Sequence, residues 1–288
     1  MRLRTIRNVV DLSAPVVMGV LNITPDSFSD GGRFLALDAA LRQAERMAAD
    51  GAAFIDVGGE STRPGAPAVP QQSELDRVVP VIEAIAGRID VALSVDTGKP
   101  AVMRAAVAAG ATLVNDVYAL RQPGALEQAA ELNVPVCLMH MQGEPRTMQD
   151  NPHYEDVAAE VLGFLADRVE ACVAAGIQRD RIVVDPGFGF GKTTAHNVEL
   201  LAALARLAVL GRPVMVGLSR KRTLGELSGR PVDARVPAGI AAAVLAVERG
   251  AHIVRTHDVG PTVDALKVAS AVMRHPGSGP GASSGGAG

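Results

Sequence analysis

Short apolar runs alternate with helical segments along most of the chain, and this alternation constrains the fold more than any single motif does. The apolar runs span residues 16–22, 54–57, 91–95, 112–114, 134–139, 181–184, 214–218 and 253–255. The spacing of apolar residues predicts helices over residues 38–50, 72–86, 100–109, 124–132, 154–175, 197–207, 237–249 and 260–274. Eight strand–helix units predict an α/β fold whose parallel strands close into a (β/α)8 TIM barrel. A six-stranded doubly wound sheet would leave two units unused.

The two ends of the chain fall outside this repeat. Residues 2–12 mix charged and β-branched residues and predict a short N-terminal hairpin. Residues 276–288 contain only Gly, Ser, Ala and Pro and predict a disordered C-terminal tail. The remaining chain, with 48% hydrophobic and 3% aromatic residues overall, suits one α/β domain over residues 1–275.

Charge and cysteine content exclude several classes of protein. A net charge of −3, without runs of Lys or Arg, argues against nucleic acid or an acidic membrane as a partner. No segment reaches the roughly 18 consecutive apolar residues of a membrane span, and the N-terminus has no apolar signal segment. Cys137 and Cys172 lie in apolar patterns that predict buried thiols and no disulfide. The sequence therefore predicts a cytoplasmic protein.

A glycine-rich loop follows the sixth predicted strand, in the stretch Asp185-Pro-Gly-Phe-Gly-Phe-Gly-Lys192. It places a carboxylate at a strand end and then lets the backbone approach a neighbour closely. A phosphate-binding P-loop is excluded, because Pro186 stands where its first glycine would fall. Asp185 therefore either faces a ligand or caps the next helix.

Polar residues lie at or just after the ends of most predicted strands, and in a barrel the carboxyl ends of the strands meet at one mouth. These residues are Asn22, Asp56, Asp96, Asn115, His140, Asp185, Lys221, Arg255 and His257. Each alone has a simple explanation, such as a helix cap, a solvated lysine or a hydrogen-bonded support. Together they favour a binding site, because independent caps would not include Lys, Arg and His.

The residue types at this mouth match two kinds of ligand. Carboxylates and an amide, from Asp96, Asn115 and Asp185, can pair with the donor-rich edge of a flat heterocycle such as a pterin or guanine. Arg255 can stack on such a ring, and Lys221 can reach its carbonyl or ring nitrogen. A phosphate-type anion could be bound by three cationic residues, Arg63, Arg255 and His257. No spacing predicts a zinc site, so we expect any metal to be Mg²⁺, held by Asn22 and substrate phosphates.

Seven stretches form long motifs at these strand ends. They are Asn22-Ile-Thr-Pro-Asp-Ser-Phe-Ser-Asp-Gly-Gly32, Gly59-Glu-Ser-Thr-Arg-Pro-Gly-Ala66, Ser94-Val-Asp-Thr97, Met139-His-Met-Gln-Gly143, Asp185-Pro-Gly-Phe-Gly-Phe-Gly-Lys192, Ser219-Arg-Lys221 and Arg255-Thr-His-Asp258. This pattern, up to about residue 274, resembles the bacterial dihydropteroate synthases. The resemblance implies an enzyme that joins 6-hydroxymethyl-7,8-dihydropterin pyrophosphate to p-aminobenzoate, releasing pyrophosphate and giving dihydropteroate for folate synthesis.

The resemblance also assigns site residues by position. It implies a pterin site formed by Asp96, Asn115, Asp185, Lys221 and a stacked Arg255. It implies that pyrophosphate and Mg²⁺ are held by Asn22, Arg63, Arg255 and His257. It implies a p-aminobenzoate pocket, also the target of sulfonamide inhibitors, lined by Phe28, Thr62, Pro64, Ser219 and Lys221. The implied catalytic residues are Asp96, Arg63, Lys221 and Arg255.

One position differs from a frequent family pattern, since Arg222 stands where many members have serine. The benzoate carboxylate can then be met by the charge of Arg222 or by its backbone N–H. A homodimer is expected from the resemblance, with apolar helix faces around residues 241–247 and 263–272 as the surface.

Three alternatives compete with this interpretation. A barrel that passes the methyl group of a folate to a corrinoid would share the pterin residues but would not need Phe28, Thr62, Arg63 and Pro64. A non-catalytic pterin-binding homologue should have lost Asn22, Arg63 or Lys221, and all three are present. A phosphosugar aldolase or isomerase on the same barrel would not need two carboxylates and an amide around a flat ring.

Overall fold

The computed structural model describes residues 1–6, 9–23, 33–61 and 65–275, without the side chains of residues 33–35. Five sequence predictions fall outside these residues. They concern Phe28, Thr62, Arg63, Pro64 and the tail 276–288. These five remain predictions from the sequence.

The chain begins with the predicted hairpin, in which β1 (Arg2–Arg4) pairs antiparallel with β2 (Val9–Asp11). Eight parallel strands follow. They are β3 (Val16–Asn22), β4 (Phe54–Gly58), β5 (Ala92–Asp96), β6 (Leu113–Asp116), β7 (Val136–Met139), β8 (Ile182–Asp185), β9 (Met215–Val216) and β10 (Ile253–Thr256). Strands that are consecutive in the chain are neighbours in the sheet from β3 to β8, and β10 lies between β9 and β3.

The sheet closes on itself, since a parallel bridge between Val184 and Val214 joins β8 to the residue before β9. Helices cover its outside. They are α1 (Arg33–Ala49), α2 (Gln71–Ala86), α3 (Pro100–Ala109), α4 (Ala125–Leu132), α5 (Val157–Ala174), α6 (Thr194–Ala202), α7 (Arg222–Ser228), α8 (Val236–Glu248) and α9 (Val259–Met273). The predicted (β/α)8 barrel is confirmed.

One end of the barrel interior is filled by apolar side chains. Each of the eight strands contributes one residue near its amino end, and these are Met18, Phe54, Ala92, Leu113, Cys137, Val183, Met215 and Ile253. Leu3 and Leu12, from the hairpin segment, pack onto this layer and are buried. The hairpin therefore seals the amino ends of the strands, and only their carboxyl ends, here called the mouth, remain for polar side chains.

Several predicted boundaries are wrong for local reasons. α5 begins at Val157 and not at residue 154, because the Asp156 side chain caps it by accepting from the Ala159 N–H at 2.8 Å. The predicted helix 197–207 is two elements, with a 3-10 helix, Leu204–Leu210, following α6. The predicted strand 214–218 shortens to β9, because the Leu218 carbonyl already accepts from the Lys221 N–H in a turn.

Two sequence predictions about the rest of the chain can be checked here. Cys137 and Cys172 are both buried and form no disulfide, as predicted. Even the longest helices that the structure describes lack the unbroken apolar length that a bilayer crossing requires.

Candidate active site

The Arg255 side chain forms the centre of the mouth. It leaves β10 and donates from Nε to Asp56 Oδ2 and from Nη2 to Asp96 Oδ2, both at 2.7 Å. The same Asp56 oxygen accepts from Asn115 Nδ2 at 3.0 Å. Asp56 is fully buried, and through this oxygen it orients an arginine and an amide from two other strands. Of the alternatives open for Asp56, the hydrogen-bonded support is the one observed.

Charges in this cluster strongly influence one another. Burial raises the pKa of Asp96 to about 7, although the attraction of Arg255 opposes the shift and the negative charge of Asp56 adds to it. Burial opposes the charged form of Arg255 as well, but the attraction of Asp56 and Asp96 raises the pKa of Arg255 overall. The mouth therefore holds a permanent cation beside a carboxylate that titrates near neutral pH.

Asp185 ends β8 and faces the same mouth. Its Oδ1 accepts from the Gly187 N–H at 2.7 Å, within the glycine loop, while its backbone carbonyl accepts from the His140 N–H at 2.9 Å. Burial raises the pKa of Asp185, and the positive charge of Lys221 opposes that shift. Asp185 does not cap α6, because Thr193 does so by accepting from the His196 N–H.

The glycine loop needs its glycines because it lies against the segment after β7. Gly187 has φ +69°, and a Cβ there would overlap the His140 carbonyl. Gly191 has φ +60°, and a Cβ there would lie 2.9 Å from Gln142 Cβ. The sequence predicts that the backbone of this loop approaches a neighbour closely. In the structure, that neighbour is another loop of the same chain.

Lys192, the last residue of the motif, was not predicted to have a role. Its side chain is buried, and Nζ lies 2.9 Å from His140 Nδ1 while donating to the carbonyls of Gly187 at 3.0 Å and Phe190 at 3.1 Å. Burial lowers the pKa of Lys192 well below its usual value, and burial with the charge of Lys192 lowers the pKa of His140 to about 2. The Lys192 amine therefore links His140 to two carbonyls of the glycine loop. The sequence signal for this role of Lys192 is its place at the end of the glycine motif.

Lys221 follows β9 and reaches across to this loop. Its Nζ donates to the Phe188 carbonyl and lies 4.6 Å from the centre of the Phe190 ring. Burial lowers the pKa of Lys221 to about 8, and the attraction of Asp185 opposes the shift. Phe190 was also missed by sequence reasoning, because an aromatic residue between glycines gives no indication of the direction in which it points.

Ser219 and His257 contact each other at the edge of the mouth. Ser219 Oγ lies 3.0 Å from His257 Nδ1 and accepts from the His257 N–H at 3.2 Å. The predicted residues Ser219, Lys221, Arg255 and His257 thus come from two adjacent strand ends, those of β9 and β10.

Asn22 stands at the end of β3 with an exposed side chain. A Cβ built on Gly58 would lie 3.5 Å from Asn22 Oδ1 and 3.9 Å from Asp96 Oδ2, so both oxygens flank Gly58. The described residues contain no group of three or more His, Cys, Asp or Glu side chains that could hold a metal. The exposed amide oxygen of Asn22 is a ligand type that fits Mg²⁺, which commonly takes few protein ligands and completes its shell with water and phosphate oxygens.

A second charged cluster, also missed from the sequence, lies behind the loop that follows β4. Lys99 Nζ bridges Glu60 and the fully buried Glu74, and Glu60 Oε1 accepts from the Val69 N–H at 2.9 Å. Arg77 donates to the Gly59 carbonyl at 2.8 Å. These contacts fix the chain at residues 59, 60 and 69, on both sides of the predicted positions 62–64.

Five predicted residues therefore lie around one space, although they come from five segments of the chain. They are Asp96, Asn115, Asp185, Lys221 and Arg255. They combine two buried carboxylates, an amide and two cations. Such a set can bind the edge of a flat, donor-rich ring and stabilise negative charge next to it.

Comparison with known proteins agrees with this geometry. The family model of pterin binding enzymes matches residues 18–257. The dihydropteroate synthase of Haemophilus influenzae is 52% identical over 268 residues, which are 93% of this chain and 98% of that protein.

Two solved structures are similarly close. Yersinia pestis dihydropteroate synthase, in a sulfonamide drug complex, is 52% identical with a TM-score of 0.91, covering 96% of this chain and 100% of that one. Xanthomonas albilineans dihydropteroate synthase with 4-aminobenzoic acid is 56% identical with a TM-score of 0.90, covering 96% and 99%. The carboxylates, amide and cations at the mouth thus occur in a chain that belongs to the dihydropteroate synthase family of pterin binding enzymes.

Proposed function

We propose that the protein is a dihydropteroate synthase, a transferase that condenses 6-hydroxymethyl-7,8-dihydropterin pyrophosphate with p-aminobenzoate and releases pyrophosphate. The observation that carries this proposal is the convergence of Asp96, Asn115, Asp185, Lys221 and Arg255 at one mouth. Family membership supports it, and so do the sulfonamide and 4-aminobenzoic acid bound by the two solved relatives.

The pterin would bind through its donor-rich edge. Asp185 and Asp96 offer carboxylate oxygens to the ring N–H groups, and Asn115, oriented by Asp56, offers its amide. Lys221 would donate to the ring carbonyl or a ring nitrogen while keeping its place over the glycine loop. Arg255, held edge-on by Asp56 and Asp96, leaves its guanidinium face for stacking on the ring.

The leaving group would lie towards Asn22, His257 and Arg255. With Mg²⁺ bound there by Asn22 and substrate phosphates, the ion would neutralise charge on the departing pyrophosphate. Arg255 contributes a fixed positive charge to the same end, and its two carboxylate contacts prevent it from following the leaving group. Arg63, outside the described residues, is proposed as a further pyrophosphate ligand.

The reaction needs little proton transfer by the protein. Loss of pyrophosphate leaves a positive charge on the pterin methylene, which the electron-rich dihydropterin ring delocalises. The amine of p-aminobenzoate then forms the new C–N bond, and its proton passes to the released pyrophosphate or to solvent. The buried carboxylates Asp96 and Asp185 favour this cationic stage electrostatically, and exclusion of water limits hydrolysis.

The second substrate would bind over Lys221 and Ser219, with Phe28, Thr62 and Pro64 as further proposed lining residues. Lys221 and Ser219 follow β9, on the side of the mouth where Phe190 lies beside Lys221. Arg222 is exposed and pairs with Glu226. Because it directly follows Lys221, its backbone N–H and its charge both lie next to the turn that carries Lys221.

Calorimetric titration with pterin pyrophosphate and with a methylated folate tests the reaction class. A dihydropteroate synthase should bind pterin pyrophosphate in the presence of Mg²⁺ and form dihydropteroate when p-aminobenzoate is added. Preference for the methylated folate, without condensation, would favour the corrinoid methyltransferase alternative. Binding of pterin without any product would favour a non-catalytic homologue.

Sulfonamides test the second-substrate pocket separately. They should compete with p-aminobenzoate and should bind well only after the bond to pyrophosphate has broken, with pyrophosphate still in place. Pro64→Ser or Phe28→Leu should raise the inhibition constant of a sulfonamide more than the KM of p-aminobenzoate, because the drug carries bulk beyond the benzoate carboxylate. Proportional changes in both constants would remove these residues from the pocket.

A cytoplasmic homodimer is part of the proposal. The two buried thiols suit a reducing compartment. The apolar side chains Leu245 on α8 and Val268 and Val272 on α9 are exposed, Val268 by 66% and Val272 by 61%. α8 packs on α9, and we propose the surface of this helix pair as the contact with a second copy. Light scattering of the wild type and of Val268→Lys checks this surface.

A further inference from the structure

The turn that carries Lys221 is held in an unusual backbone conformation. Arg220, the residue before it, has φ +59°, a region that non-glycine residues occupy only where the surroundings hold them. The Arg220 side chain pairs with Asp258 at 2.6 Å, which ties the turn to the residue directly before α9. This contact restrains a side chain. In the backbone, the Lys221 N–H donates to the Leu218 carbonyl and the Lys221 carbonyl accepts from the Leu224 and Gly225 N–H groups, whereas the Arg220 carbonyl needs another partner.

That partner is Arg235, which lies 14 residues from Lys221 at the start of α8. Its Nη1 donates to the Arg220 carbonyl at 3.0 Å and to the Lys221 carbonyl at 3.3 Å. Its Nε donates to the Arg230 carbonyl at 3.0 Å. One half-buried guanidinium therefore connects three carbonyls of the β9–α8 connection.

Gly225, in α7, provides the space for this guanidinium. A Cβ built on Gly225 would lie 2.6 Å from Arg235 Nε and closer still to its Nη2 and Cζ. The position therefore excludes any side chain as long as Arg235 stays in place. Glycine in a helix interior normally costs stability relative to alanine, and at this position it leaves room for the Arg235 guanidinium.

The position of the Lys221 backbone decides where its ammonium lies. A Cβ built on Gly189 would lie 3.1 Å from Lys221 Cδ, so the lysine stem passes directly along the glycine loop before Nζ reaches the Phe188 carbonyl. A side chain confined in this way cannot compensate fully for a displaced Cα. Misplacement of a binding group by about 1 Å can cost about a hundredfold in rate.

We propose that Arg235 is a positioning residue that holds the Arg220–Lys221 turn, with Gly225 as the site that admits its guanidinium, and thereby sets the place of Lys221 in the pterin site. This inference rests on the proposed function, in which Lys221 contacts the pterin. Arg235 itself contacts no reacting atom.

The test measures whether Arg235 acts through Lys221. Pterin pyrophosphate affinity is measured by calorimetric titration with Mg²⁺, and kcat/KM by dihydropteroate formation, for Arg235→Met, Lys221→Met and the double variant. Arg235→Met should lower kcat/KM by about tenfold to a hundredfold. In the Lys221→Met background the same substitution should leave pterin affinity unchanged. If Arg235→Met weakens pterin binding equally in the wild type and in Lys221→Met, the proposal is refuted.

Gly225→Ala provides a second way to break the contacts of Arg235 with the Arg220–Lys221 turn. It retains Arg235 but displaces its guanidinium, and alanine favours the helix, so a loss of activity cannot come from a weaker α7. It should lower kcat/KM as Arg235→Met does, and the two together should cost no more than either alone. Full activity of Gly225→Ala would overturn the proposal even if Arg235→Met fails to fold.

Two controls separate this role from others. Arg249→Met removes an arginine whose contacts are the carbonyl of Leu245 and the carboxylate of Glu248 around the end of α8, and it should change neither constant. Arg235→Lys, which retains the charge and one donor group, should recover part of the lost kcat/KM. A wild type that binds pterin but makes no dihydropteroate would refute the proposed reaction, while the affinity measurements would still decide the role of Arg235.

Discussion

Asp56 offers the sharpest test of how the mouth is organised. One of its oxygens accepts from Arg255 at 2.7 Å and from Asn115 at 3.0 Å, and the side chain is fully buried. Asp56→Leu has a similar volume but leaves both donors without this acceptor. Hydrogen bonds to charged groups contribute about 1.5 to 3 kcal/mol each, and breaking a buried ion pair costs about 3 to 5 kcal/mol.

The expected net loss in the free energy of unfolding is smaller than that sum. Arg255 keeps its contact with Asp96 at 2.7 Å, and removing a buried carboxylate also removes its desolvation cost. We therefore expect Asp56→Leu to cost about 3 kcal/mol and Asp56→Asn, which retains an acceptor oxygen, about 1 to 2 kcal/mol. At roughly 2 to 4 °C per kcal/mol for a chain of this size, Asp56→Leu should lower Tm by about 6 to 12 °C.

Scanning calorimetry measures the stability, and pterin titration measures the effect on the site. Because the charge of Asp56 raises the pKa of Asp96, Asp56→Asn should lower the pKa of Asp96 below about 7 and move the acid limb of kcat/KM to lower pH. Asp264→Asn is the matched control, since its exposed partner Lys267 lies 3.7 Å away and the pair should contribute at most about 0.5 kcal/mol. Unchanged Tm and an unmoved acid limb in Asp56→Asn would refute the supporting role of Asp56.

Four further outcomes follow from the site. In the wild type, kcat/KM should fall below about pH 7 as Asp96 becomes protonated and above about pH 8 as Lys221 loses its charge, and a flat profile over this range would contradict both assignments. Asp185→Asn should retain Tm but weaken pterin binding by about 2 kcal/mol in calorimetric titration, whereas unchanged affinity would leave it only a structural role. Lys192→Met should lower the free energy of unfolding by about 2 to 4 kcal/mol, because His140 Nδ1 and two carbonyls, of which only that of Phe190 is part-buried, lose their partner. Denaturant unfolding measures this beside the exposed Lys267→Met, and equal stabilities of the two variants would contradict it. Chelation of Mg²⁺ should slow turnover far more than it weakens binding of a pterin without pyrophosphate, and equal losses would point to a structural ion.

Much of the fold follows from local sequence patterns. Apolar runs of strand length, each followed by a helical period, determine eight βα units, and parallel strands with such crossovers close into a barrel. Because polar residues such as Asp96, Asn115 and Asp185 lie at the carboxyl ends of their strands, the same pattern also places them at one mouth. The family motifs lie at these ends, so fold and family could both be predicted from the sequence and are confirmed.

Tertiary structure alone decided which of these groups pair. Arg255 meets Asp56 across 199 residues, and Asn115 meets the same carboxylate across 59, so no local period specifies either contact. The inward turn of Lys192 to His140 and the contact of Arg235 with the Lys221 turn depend equally on which loops the closed barrel brings together. Sequence periodicity sets the face and the end at which a side chain lies, whereas burial and the neighbouring strand ends determine its partner and its charge.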